Sequence, residues 1–207
     1  RMDKVISESL ARSLHVVFNL GAEQASLALS RWIHQPVRLT IQAVEVTELS
    51  EATSLLGRED QLLAVCSMEL SGRLPGELIL VFEDRAGLSL VDYLLGNPPG
   101  TTTGWGDLEQ SAALETTNIV GCAFLNSLAA HLPSDNPTSA ENALIPSPPS
   151  FRHEFAGSLL QFALLDQALV VKSGFATDRE ELAWWLLFVP SSSTLDTLSS
   201  LVPTSVK

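Results

Sequence analysis

The chain has 207 residues, 45% of them hydrophobic, and carries a formal charge of −12 at pH 7. That apolar content over this length is ample for a sizeable buried core, so a folded globular protein of one large domain or two small ones is expected. The negative charge argues against nucleic acid or an anionic membrane surface as partner, since either would repel it, and favours protein partners.

No apolar run reaches the roughly 18 residues of a membrane span, and Asp3, Lys4 and Glu8 stand where a secretory leader needs an apolar block. A cytoplasmic protein without membrane insertion is expected, with Met2 as its start. Cys66 and Cys122 lie far apart in apolar or helical surroundings and read as buried free thiols. His15, His34, His131 and His153 show no ligand spacing with one another or with the cysteines, so no metal site is expected.

From Asp3 to about His34, apolar residues at Ile6, Leu10, Leu14, Val17, Phe18, Ala25, Leu29, Trp32 and Ile33 recur at helical spacing, and Pro36 ends the run. Val37 to Val46 alternates apolar and polar, which predicts a strand with one buried face. Glu48 to Leu56 reads as a short helix closed by Gly57. Leu62 to Leu70 and Glu77 to Phe82 read as a hairpin joined by the turn-rich Ser71 to Gly76. Asp84 opens a helix through Leu95, with Gly96 at its end and Pro98-Pro99 beyond. Residues from about 97 to 106 form the clearest internal linker.

A long helix then runs from about Asp107 to Leu132, stopped by Pro133, and Ser134 to Thr138 reads as a loop. Leu144 to Pro149 is too rich in proline for a central strand and suits an edge strand or extended segment. Phe155 to Leu164 reads as a short amphipathic helix. Ala168 to Phe175 and Leu182 to Val189 are strands flanking a polar turn, and Ser193 to Leu201 is a last helix. Both halves thus follow the same order of elements. The expectation is an α+β fold: a single domain over residues 1–207, built from two pseudo-symmetric repeats of about 3–96 and 107–203, with one mainly antiparallel sheet covered by helices.

The chemistry concentrates in the second long helix. Glu115 and Asn118 are three residues apart and project from neighbouring positions on one helical face. Ser111, Glu115, Asn118, Cys122 and Asn126 form one strip, while Leu114, Leu125, Leu128 and Leu132 form the adjacent stripe expected to face a core. The first long helix repeats the pattern in part: Asn19 stands to Asn118 as Leu29 stands to Leu128, but Val16 occupies the position of Glu115. An amide has no useful basicity, so the pair is no attacking dyad. Asn can hold a water through its donor and acceptor, and Glu can pair with a cation on a docked partner. The structural alternative for the pair is a solvated helical face, and for Asn19 a helix-packing or capping role.

Leu114-Glu115-Thr116-Thr117-Asn118-Ile119 with Leu125-Asn126-Ser127-Leu128, and Phe18-Asn19-Leu20-Gly21-Ala22 with Ala28-Leu29-Ser30, resemble the two helix motifs of the CheC, CheX and FliY chemotaxis phosphatases. Gly76 to Phe82, Leu94-Leu95-Gly96, Pro146-Ser147-Pro148-Pro149 and Leu187-Phe188-Val189-Pro190 resemble the remaining landmarks, so the likeness spans nearly the whole chain. The resemblance implies a CheC-like phosphatase that hydrolyses the aspartyl phosphate of a CheY-type response regulator. It gives Glu115 the pairing with a receiver lysine and Asn118 the placement of the attacking water. The chain would need no cofactor of its own, because the phosphorylated receiver carries the Mg2+. With valine at position 16, the first site, marked by Asn19, is degenerate, and Glu23 one turn onward is a weak substitute for the missing acid. The alternative keeps the fold without the chemistry: a FliM-like binding module that docks a receiver, a CheD-type deamidase or a flagellar switch component.

Overall fold

The computed structural model describes residues 2–132, 143–159, 167–178 and 180–199. The chain begins with helix α1 (Met2–Ile33), which ends where His34 takes a left-handed backbone at φ 55°, two residues before Pro36. Strand β1 (Arg38–Glu48), helix α2 (Leu49–Leu56), the hairpin β2 (Leu62–Gly72) and β3 (Gly76–Glu83), and helix α3 (Asp84–Leu94) complete the first half. Helix α4 (Asp107–His131), strands β4 (Leu144–Pro146) and β5 (Ser150–Phe155), a 3-10 turn (Ala156–Ser158), the hairpin β6 (Gln167–Ala176) and β7 (Glu181–Pro190), and helix α5 (Ser192–Ser199) follow.

Among the described residues seven strands join one sheet in the order β1-β6-β7-β3-β2-β4, with β5 also on β2, and every pairing there is antiparallel. The α+β fold expected from the sequence is therefore present. The two hairpins lie side by side at the centre, joined by β3 and β7 from Gly76↔Pro190 to Phe82↔Trp184. Strands of the second half thus sit between β1 and β3 of the first, so both halves contribute to one sheet.

Alternation along the strands sorts the apolar residues onto two faces. One face, with Ala64, Cys66, Met68, Leu78, Leu80, Phe82, Leu186 and Trp184, packs against α1 and α4. The other, with Leu63, Val65, Ile79, Val81 and Leu187, packs against Ala52 and Leu56 of α2 and against Ala156 and Leu159. The adjacent tryptophans divide as the strand period requires: Trp184 is buried in the first core, stacked on Phe82 at 5.9 Å, and Trp185 lies against the second.

Helices α1 and α4 meet through Phe18 and Phe124, edge to face with ring centroids 5.5 Å apart. Gly21 permits the approach, since a Cβ there would lie 2.7 Å from Phe124 Cδ1 and 3.1 Å from Phe124 Cα. Gly121 does the same against the sheet, where a Cβ would lie 2.1 Å from Met68 Cε.

The crossover between the halves is held by side chains. Asp92, buried at 1% exposure, accepts from the backbone N–H of Thr101 (3.0 Å) and Thr102 (2.9 Å) and from the Thr102 hydroxyl (2.6 Å). Trp105 Nε1 and His153 Nε2 each lie 2.8 Å from Asp84 Oδ1, and the Trp105 ring packs on Phe151 at 4.9 Å. These contacts tie the start of α4 to α3 and to β5.

One expectation requires correction. The helix predicted over Phe155 to Leu164 is absent at its start, where Phe155 ends β5 and only a single 3-10 turn follows; residues 160–164 lie outside the described residues. Ser150 to Phe155 pairs instead with Leu62 to Ser67 of β2, and its polar Arg152, His153 and Glu154 suit a sheet edge. The stripe of Leu114, Leu125, Leu128 and Leu132 faces the main core as expected, with Leu114 half-buried at its margin. The predicted loop over Ser134 to Thr138 and the end of the last helix at Leu201 lie outside the described residues.

Candidate functional site

The helix α4 separates its polar strip from its core face by the simple alternation of 3.6-residue turns. Thr116 and Thr117, between the two candidate residues, are buried, and their hydroxyls donate to the carbonyls of Ala112 (2.9 Å) and Ala113 (2.8 Å). This turns Glu115 and Asn118 outward, and both are exposed. Among the described residues no cation pairs with Glu115.

Opposite them lies a wall the sequence reading did not assign to the site. Ser111, Leu114, Glu115 and Asn118 from α4 and Pro146, Ser147, Pro148 and Pro149 line one groove of about 570 Å³. The wall exists because proline cannot donate to a strand ladder, which splits the edge beyond β2 into β4 and β5. Between the two pieces, Ser147 clips the chain to β2: its N–H donates to the Glu69 carbonyl (2.8 Å), and its Oγ accepts from the Glu69 N–H (3.0 Å). The proline cluster was visible in the sequence, but its position opposite α4 is a tertiary fact.

One turn beyond Asn118, the Cys122 thiol donates to Asn118 Oδ1 at 3.8 Å. Burial pushes the Cys122 thiol up, and the nearby Glu115 charge pushes it further, so it stays protonated and is a poor nucleophile. The groove therefore offers a carboxylate for a cation, a carboxamide that can hold water, and no attacking group of its own. No group of three or more His, Cys, Asp or Glu side chains arranged for a metal ion occurs among the described residues.

The corresponding strip on α1 differs. Val16 is 61% exposed, and Asn19 is half-buried with its Nδ2 donating to His15 Nδ1 at 2.9 Å, so its amide is already engaged within the helix. Glu23 is exposed on the next turn. The structure thus brings Glu115 and Asn118 together with the proline wall, while Asn19 lies on the other long helix with histidine as its partner.

No protein-family model matches the chain. Among solved structures it is similar to Thermotoga maritima FliY, at 14% identity and TM-score 0.73 over 93% of each chain. The FliM middle domain of H. pylori is similar at 15% identity and TM-score 0.65, over 94% of this chain and 98% of that one. The FliM middle domain of Vibrio alginolyticus matches at 13% identity and TM-score 0.65, over 91% and 99%. This chain has the fold that FliY and the FliM middle domain share.

Proposed function

We propose that the protein is a CheC-like phosphatase that hydrolyses the aspartyl phosphate of a CheY-type receiver in the cytoplasm. The observation that carries this reading is the placement of Glu115 and Asn118 side by side, exposed, on the wall of one groove on a FliY-like fold. Glu115 pairs with a lysine of the receiver, which fixes the docking register. Asn118 then accepts from and donates to the attacking water, holding it in line with the phosphorus. The receiver would supply the phosphorylated carboxylate, whose oxygen leaves as the water oxygen bonds to phosphorus and the water proton passes to the released phosphate or to solvent, and it would carry the Mg2+ that offsets the developing charge. This chain contributes position and electrostatics only.

In this reading the chain is a duplicated unit. Its support is the strand order, in which β1, β6 and β7 on one side of the centre mirror β5, β2 and β3 on the other. The α1 copy lost the acid and does not hydrolyse.

The second reading is a noncatalytic docking module for a receiver, a CheD-type deamidase or a flagellar switch component. It is favoured by the likeness to FliM middle domains and to a chain of a FliG–FliM complex from H. pylori. Phosphate release from a panel of phosphorylated CheY-type receivers, with and without this protein, separates the two. Acceleration that disappears in Asn118→Ala is expected; tight binding with no acceleration by the unmutated protein selects the docking module.

A further inference from the structure

We infer that the proline wall and Leu114 form an apolar seat that reads a side chain next to the lysine on the docking receiver. This rests on the reading in which Glu115 pairs with that lysine. The lining of the groove is of two kinds: Ser111, Glu115 and Asn118 of α4 are polar, while Leu114 beside them on α4 and Pro146, Pro148 and Pro149 across the groove present carbon.

The wall has no backbone donor to offer. Its prolines carry no N–H, and the N–H of Ser147 is consumed by Glu69. The Ser147 hydroxyl is committed as well, accepting from Glu69 N–H and donating to the Pro148 carbonyl at 3.1 Å. A carboxylate or other side chain that only accepts hydrogen bonds, pressed against this surface, would lose water and gain no donor. An apolar one would lose only unfavourable hydration.

The seat is also built before the partner arrives. Proline fixes φ, β4 pairs with Leu70 to Gly72, and Phe151 just beyond the wall packs on Trp105. Little ordering remains for binding to oppose. The occupant is thus a receiver segment with a cation for Glu115 and an aliphatic or aromatic side chain beside it. The wall selects among receivers, and Asn118 does the positioning of water.

The test uses the full chain and the receiver from the panel that it binds most tightly, carrying a stable phosphoryl mimic for titration and a phosphoryl group for turnover. Pro148→Ser/Pro149→Ser should weaken binding about 10-fold, the loss expected for exposing one apolar contact, with single-turnover hydrolysis at saturation within about twofold of the unmutated protein. Because that change could loosen the wall itself, Leu114→Gln alters the seat from the helix side and should act in the same direction. Ile145→Ser is the control: Ile145 is 52% exposed, next to the wall but outside the groove, and its loss should leave binding unchanged. Unchanged affinity in both seat variants, or equal loss in Ile145→Ser, would overturn the seat. A receiver that binds with this sensitivity yet is not hydrolysed faster would leave the seat standing and remove the phosphatase reading. Failure of every receiver to bind would overturn both.

Discussion

The Ser127 hydroxyl of α4 donates to the backbone carbonyl of Val17 in α1 at 2.8 Å, within the same helix contact that holds Phe18 against Phe124. The helix that bears Glu115 and Asn118 is therefore fixed to its counterpart by a buried polar tie as well as by packing. Gly21→Leu should force Phe124 and its backbone to shift, at a cost of about 1 to 3 kcal/mol. Ser127→Ala should cost about 1 kcal/mol. Urea unfolding checks both through a lower midpoint at unchanged slope.

Asp92 should give the crossover a pH dependence. Burial alone would raise its pKa, but the Thr102 hydroxyl and the N–H groups of Thr102, Gly100 and Thr101 outweigh that and hold it below the ordinary carboxylate range. The folded value is depressed, so the stabilisation is present above the unfolded carboxylate pKa of about 4 and is lost as pH falls through the lower folded value. Asp92→Asn should destabilise the protein by about 1 to 3 kcal/mol at pH 7. The gap between the two proteins should close as the pH is lowered below about 4 in parallel unfolding curves.

The two thiols should be slow to react in the native protein. Burial pushes Cys66 up to about 11, although a hydrogen bond with the Thr117 side chain opposes the shift, and burial with the Glu115 charge raises Cys122. At pH 8 a thiol reagent should modify the half-buried Cys122 slowly, and Cys66 only as the chain unfolds. Rapid labelling of Cys66 without loss of structure would contradict this placement. Glu115→Gln should speed labelling of Cys122 by removing the nearby charge.

The α1 strip should be silent. Asn19 is engaged with His15, and Val16 offers no charge to a lysine, so Asn19→Ala should leave hydrolysis within about twofold. Loss of receiver dephosphorylation in Asn19→Ala, with activity retained in Asn118→Ala, would reverse the assignment of the competent half.

The long helices were legible in the sequence because their apolar residues recur at helical spacing, and both hairpins because their strands are short apolar runs joined by turn-rich segments. The strand Ser150 to Phe155 was not, since Arg152, His153 and Glu154 carry no apolar alternation and pairing with β2 decides their conformation. Glu115 and Asn118 were legible as an exposed pair because nothing in helix formation requires them. The facing wall was not, because two segments distant in the chain meet only through the pairing of β4 with β2. The His15 partner of Asn19 was available one helical turn away, but it gains meaning only once its ring nitrogen is seen to take the amide that the α4 copy leaves to the groove.

The most direct test of the proposed mechanism is single-turnover dephosphorylation of a CheY-type receiver by Asn118→Ala and Glu115→Ala, alongside an independent binding titration with a stable phosphoryl mimic. If Asn118 places the water, its loss should slow turnover by roughly 100-fold or more, about 2.7 kcal/mol of barrier, with affinity nearly unchanged. Glu115→Ala should weaken the complex itself, by roughly 2 to 5 kcal/mol where the lysine is left buried and unpaired. Turnover by Asn118→Ala equal to that of the unmutated protein, or a loss explained wholly by weaker binding, would contradict the mechanism.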